Sequence, residues 1–297
     1  MQRNYSLGIM LALATAIISG ISVFINGIAV NSADPIVYTI MKNSGVLLFL
    51  FATVFAFKEI NNFRNLTKKQ WATLVLIGII GGSIPFALFF WGLKLGGAVI
   101  GSFIYRSLFI FAGVFGYLLL KEKPERNDII AGVLLLVGNA ILLSGELTFG
   151  FAQLLVLGAT VLWALEYTIS RKILADLQPR TVMVSRMFFG SIVLSLFVFG
   201  SGTAIAIDAS ILPWLGLTAL LLFGFVITWY TSLKYIPVFK ATVILALGGI
   251  ITTVLNVVFL DAILSLTDLL SILLILTGSL VAMNALKLVK KINYLIS

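Results

Sequence analysis

The sequence predicts an all-α integral membrane protein, with ten transmembrane helices in two inverted five-helix repeats. Three observations predict it. Hydrophobic residues make up 61% of the 297 and charged residues only 10%, giving a mean hydropathy of +1.15, more than a water-soluble core of this size needs. Apolar runs of about 20 residues recur along the whole length, the number an α-helix needs to cross a ~30 Å hydrocarbon layer, whereas a β-barrel would show short alternating segments. The two halves of the chain also match each other at a nearly constant offset.

Taken in order, the spans fall at roughly 5–30, 36–57, 70–93, 98–120, 127–144, 150–171, 180–200, 213–233, 237–260 and 268–287. The first follows a basic Arg3 as a signal peptide would. Its apolar run is too long for one and no small-residue cleavage site ends it cleanly, so a retained helix is expected. The connections are short and contain turn-forming stretches such as Asn31-Ser32-Ala33-Asp34-Pro35 and Leu177-Gln178-Pro179. They also carry most of the charge. Alternate loops place 16 of the 20 basic residues on one side and one, Lys94, on the other, while Lys42, Arg106 and Arg186 lie within spans. By the positive-inside rule the protein is expected to be a multi-pass protein of the cell (cytoplasmic) membrane with both termini cytoplasmic.

Setting residue n against n+144 aligns Pro35 with Pro179 and Lys42 with Arg186. Trp71 and Trp214 both open a following span, and Leu93-Lys94 matches Leu233-Lys234. Further on, an offset of 140 pairs Leu120 with Leu260, Asp128 with Asp268 and Gly138 with Gly278. The expected units are 1–145 and 146–297. Because five is odd, the halves must sit upside down relative to each other, a recurrent construction of secondary transporters.

A family resemblance rests on these repeated positions. They are the Asp34-Pro35…Lys42 and Gln178-Pro179…Arg186 starts of the second helix in each half, and Gly92-Leu93-Lys94 followed by Gly96-Gly97-Ala98. With them goes Gly116-Tyr117-Leu118-Leu119-Leu120-Lys121-Glu122, leading into Gly132 and Gly138. Over nearly its whole length the sequence resembles the drug/metabolite transporter (DMT) superfamily, in particular its EamA-type ten-helix branch. The resemblance implies a central cavity between the halves and alternating access, usually exporting a metabolite. The sequence departs from that pattern where Asp261-Ala262 replaces the Lys-Glu ending, and in the fourth span, which lacks a mid-helix proline.

Composition excludes several chemistries. There are no cysteines and no histidines, which removes disulfides, thiol chemistry, His-based catalysis and the usual ligand sets for zinc or transition metals. No cofactor, metal or catalytic residue is expected, and the chain is not expected to be an enzyme. The net charge of +9 follows the loops, so it speaks to orientation and not to nucleic acid. No ATP-binding motif is present; energy must come from an ion gradient or from exchange.

Four ionisable residues lie inside spans, where such groups are expensive and usually functional. A rise of ~1.5 Å per residue puts Lys42 and Arg106 at one level, below the end opposite the basic loops. It puts Glu166 and Arg186 together at the other. Glu166 is then either half of an ion pair with Arg186 or a proton-coupling carboxylate in an aromatic setting with Trp163 and Tyr167. Lys42 fits a structural task or substrate contact. Arg106 has Ala246 in its place in the second half. With Ser102 and Tyr105 beside it, it is the leading candidate to bind a carboxylate or phosphate bidentately, the other readings being a cap for helix carbonyls or an ion pair with an acid the sequence does not place.

Gly81-Gly82-Ser83-Ile84-Pro85 and Gly248-Gly249 interrupt the third and ninth spans; broken helices point to a midplane site, the other reading being close helix packing through small residues. Asn256 follows the second break, and Trp91, Trp229 and Tyr230 are candidate cavity aromatics. Three intramembrane cations against one acid favour an anionic or zwitterionic substrate, such as an amino acid, organic acid or phosphorylated compound. A coupling proton or exchanged solute would be a further partner, membrane lipids surround the chain, and it is expected to be a monomer or homodimer. A multidrug or cationic-compound exporter of the same fold, or a non-transporting scaffold or lipid scramblase, are the competing readings.

Overall fold

The computed structural model describes residues 2–29, 34–96, 101, 104–142, 150–202 and 209–284. Among these, every regular element is helical. We label them α1 (Gln2–Ala29), α2 (Pro35–Ala56), α3 (Lys68–Gly82), α4 (Ile84–Gly96), α5 (Leu108–Phe115), α6 (Arg126–Leu142), α7 (Phe151–Ile173), α8 (Pro179–Ser201), α9 (Leu212–Tyr235), α10 (Val238–Leu245), α11 (Leu247–Leu260) and α12 (Leu266–Ala282). Seven stretches are long and apolar enough to cross a membrane, one of them α3 with α4 (Lys68–Gly96) and another α10 with α11 (Val238–Leu260). Ile104–Leu120, which contains α5, and α12 are shorter apolar helices. With α6 they make the ten spans.

Both proline-headed helices start as their sequences dictate. Asp34 caps α2, its carboxylate accepting from the N–H groups of Ile36 and Val37, and Pro179 opens α8 after an extended Gln178. Proline at the first turn loses no intrahelical bond, because that N–H has no partner in the helix. The other matched positions also take matched conformations. Lys121 and Asp261, 140 residues apart, both end a helix in the left-handed region, at φ of 59° and 51°. Asp128 and Asp268 each accept the N–H three residues before them, at 3.0 and 2.8 Å.

The two repeats interlock. The first helix of each packs on the third and fourth spans of the other. Thus α1 meets α9 and α11, with Ser232 donating to the Gly8 carbonyl at 2.8 Å and Thr252 to that of Gly20 at 2.9 Å. In the same way α7 meets α3 and α4 of the third span and α5 of the fourth, with the Trp163 indole donating to the Gly81 carbonyl at 3.1 Å. Equivalent helices also pair directly. Ile36 and Val37 of α2 cluster with Leu194 and Val198 of α8, and Gly138 of α6 lies against Gly278's neighbour Ile275 on α12. Small residues let such backbones approach, which is how helices gain contact in lipid, where apolar burial alone gives little advantage.

The end bearing the basic loops is tied shut across the repeats. Glu122 accepts from Arg171 Nε at 3.1 Å and from the Val238 N–H at 3.0 Å, while Arg171 Nη1 donates to the carbonyls of Leu233 and Lys234. Nearby, Lys240 Nζ meets Asp128 at 3.2 Å and Glu125 at 3.5 Å, and donates to the Tyr5 hydroxyl at 2.8 Å. Arg180 pairs with Glu59.

Candidate functional site

The site begins with a missing hydrogen-bond donor. Proline has no N–H to give to the carbonyl four residues back, so Pro85 leaves the Gly81 carbonyl without its helical partner. The backbone breaks there, with Ser83 at φ −132° and ψ −78° between α3 and α4. Two side chains of the other repeat take the free carbonyl, Arg186 Nη2 at 2.8 Å and Trp163 Nε1 at 3.1 Å. One residue on, the Gly82 carbonyl accepts from Asn43 at 3.2 Å.

Arg186 held in this way meets Glu166. Glu166 is fully buried. One carboxylate oxygen accepts from Ser170 at 2.5 Å and Tyr230 at 2.8 Å, and the other lies 3.6 Å from Arg186 Nε. Gly81 sits so close that a Cβ there would come within 2.7 Å of the Glu166 carboxyl carbon, so glycine is what lets the pair form against the broken helix. Arg186 Nη1 is buried with no hydrogen-bond partner among the described residues.

Lys42 lies across from this pair. Its ammonium donates to Asn26 Oδ1 at 3.3 Å and stands 4.7 Å from the Phe90 ring centroid and 5.5 Å from that of Phe86. It has no acid within ion-pair distance among the described residues. A cation so placed is held by ring quadrupoles and one neutral amide. Lys42 and Arg186 both line a cavity of about 100 Å³ whose walls include Asn26, Phe86, Tyr105, Trp163 and Tyr167. The aromatic wall is interlocked edge to face, Trp163 lying 5.2 Å from Phe86 and 5.4 Å from Tyr105 between ring centres.

This differs from the depth expected for Lys42, which helix-end spacing placed with Arg106 and apart from Arg186. That spacing measures the height of the Cα atoms, and two long side chains reaching toward each other close an offset of roughly 10 Å. Arg106 instead lines a smaller neighbouring cavity of about 30 Å³ with Ser19, Tyr105, Gly249 and Thr252. There its Nη2 donates to the Gly249 carbonyl at 3.2 Å, beside the break at Ala246 between α10 and α11. Its own helix breaks at Ser107, just before α5. The helix-carbonyl cap, one of the readings of the sequence, is therefore the contact seen.

The remaining candidates divide. Tyr230 belongs to the site through Glu166. Trp229 packs behind it, 4.7 Å from the Tyr167 ring, and does not line the cavity. Trp91 is on the outer surface, edge to face with Phe197 and 40% exposed to the surroundings, because the face of α4 bearing Phe86, Phe89 and Phe90 is the one turned inward. Asn256 lines neither cavity; it lies in the last turns of α11, below the break. Ser102 lies outside the described residues. Asn26 was missed, although an amide inside the apolar α1 is a legible signal.

Compared with known proteins, the chain matches the EamA-like transporter family twice, over residues 6–144 and again over 150–284. It belongs to that family. An EamA-like chain with this cavity is a transporter by family, and both halves carry the match, so the repeats are two copies of one EamA-like unit. A solved crystal structure shares the fold, with a TM-score of 0.75 at 17% identity over 93% of this chain and 96% of that one. No curated protein matches the chain.

Proposed function

We propose that this EamA-like protein is a secondary active exporter of a small anionic or zwitterionic metabolite, bound by its carboxylate between Lys42 and Arg186 and moved by alternating access. The observation that carries this reading is a single one: two buried cations face one aromatic-lined cavity, and only Arg186 has an acid beside it. An arriving carboxylate finds an unpaired Nη1 and an ammonium held by one amide, both of which bind a charged acceptor more strongly than they bind a neutral one. The walls of Phe86, Trp163 and Tyr105 favour a substrate with a flat or apolar body. A cationic substrate would face two like charges there, which argues against the multidrug reading.

In this scheme the termini are cytoplasmic, the protein lies in the cell membrane, and a proton gradient or an exchanged solute supplies the energy. Arg106 serves to hold the broken ninth span and Glu166 to aim Arg186. The test is uptake into proteoliposomes of labelled amino acids and organic acids. Flux of a carboxylate that falls sharply in Lys42→Gln supports the proposal; no flux of any candidate with intact protein overturns it.

A further inference from the structure

A cleft of about 610 Å³, larger than the central cavity, lies on the outside, between the fourth span and α6. Its origin is in the packing. The fifth span, α6, is drawn onto α12 through Gly138 and Gly278, and so stands off from α5. The gap is floored by Phe239 of α10, whose ring packs on Phe109 at 6.3 Å and against Gly113 and Gly132, where a Cβ would come within 2.7 and 3.2 Å of it. Ile129, Val133 and Leu136 on one wall are each more than half exposed, as is Tyr117 on the other.

We infer that this cleft binds one anionic phospholipid, an acyl chain lying along Phe239 and the phosphate at the basic corner above. Length fits: from Asp128 to Leu136 the wall rises ~12 Å at 1.5 Å per residue, close to one leaflet of a ~30 Å hydrocarbon core. Charge fits as well. Lys123 lines the mouth, and Lys121 and Arg126 are exposed next to it, none with an ion-pair partner among the described residues. The acids of the same corner are engaged elsewhere, Glu122 by Arg171 and Asp128 and Glu125 by Lys240. A mouth with three free cations over an apolar slot matches a phosphate ester on an alkyl chain. A second copy of the chain would bring its own apolar face but no counter-charge for those three cations. The inference holds whatever substrate the protein moves.

The test is native mass spectrometry of detergent-extracted protein equilibrated with mixed micelles of phosphatidylglycerol or phosphatidylcholine of the same acyl composition. One phosphatidylglycerol should be retained per chain, in preference to phosphatidylcholine. The triple variant Lys121→Gln/Lys123→Gln/Arg126→Gln, whose changes are all on the surface, should lose that preference, at about fivefold in affinity per charge removed. Val133→Trp should fill the slot and expel both lipids. Equal retention of the two lipids by the unaltered protein, or a triple variant with its preference intact, would overturn the inference. So would a chain dimer that dissociates in Val133→Trp, which would make the cleft a subunit contact.

Discussion

Lys42 and Arg186 share one ring, the ammonium and the guanidinium carbon each 5.5 Å from the centroid of Phe86. They are also equivalent in the repeat, 144 residues apart and each seven residues past a proline that opens its helix. A basic position used in both halves thus puts two cations on the wall of one cavity.

Removing one of the two should be felt in binding. On the proposed binding mode, Lys42→Gln forfeits a charge-assisted bond to the substrate, worth about 1.5 to 3 kcal/mol, and leaves Glu166 and Arg186 paired. The apparent KM for a carboxylate substrate should rise roughly tenfold or more, with thermal stability near that of the unaltered protein. Unchanged KM in reconstituted vesicles would remove Lys42 from the site.

Glu166 behaves differently if its task is to aim Arg186. Glu166→Gln retains an acceptor for Ser170 and Tyr230 but strips a fully buried guanidinium of its counter-ion, and breaking a buried pair costs about 3 to 5 kcal/mol. A clear drop in melting temperature is expected, while any residual transport keeps its response to an imposed pH gradient. The reverse pattern, normal stability with loss of accumulation against a pH gradient, would make Glu166 the coupling acid.

At the second break, Arg106 and Gly249 should be energetically coupled. A Cβ on Gly249 would come within 2.7 Å of the Arg106 guanidinium carbon, so Gly249→Ala must displace Arg106 and should destabilise by about 1 to 3 kcal/mol. In an Arg106→Ala background the same change should cost much less. Additive effects on the melting temperature would show that the two do not meet. Arg106→Gln alone should lower folded yield and flux in parallel; a loss of flux at full yield would restore it as a substrate ligand.

Under the proposed alternating access, the ties at the basic end have to break in each cycle. Glu122→Gln weakens the hold on Arg171 and should favour the state open to that side. The chain has no cysteine of its own, so Ile173→Cys, buried at the end of α7, gives a clean probe. Its labelling by a membrane-impermeant maleimide should be faster in the Glu122→Gln background, and equal rates would show that this carboxylate does not control opening.

The parts of this architecture legible in the sequence are those written in backbone chemistry. Pro35, Pro179, Asp128, Asp268 and the Gly81-to-Pro85 stretch act through a missing N–H, a cap or a missing Cβ, and these properties travel with the residue. The repeat follows from them. Rotation of a helix is written less plainly: lipid and protein interior are both apolar, so nothing in the composition of α4 tells that Trp91 faces out while Phe90 faces in. Counting from helix ends likewise separates Lys42 from Arg186, since it measures Cα height and the charges sit several bonds away. Arg106 drew attention because only one repeat has it, yet a residue unique to one half can serve the joint between halves as well as the substrate.

Pro85 carries a consequence for anyone seeking to stabilise this protein. Replacing it with alanine would restore an N–H to the third span, and the Gly81 carbonyl would then have a donor within its own chain segment. Arg186 and Trp163 would lose the acceptor that holds them, and with it their fixed aim into the cavity. A better helix would make a looser site, because what joins the two halves here is a bond that one of them is unable to make for itself.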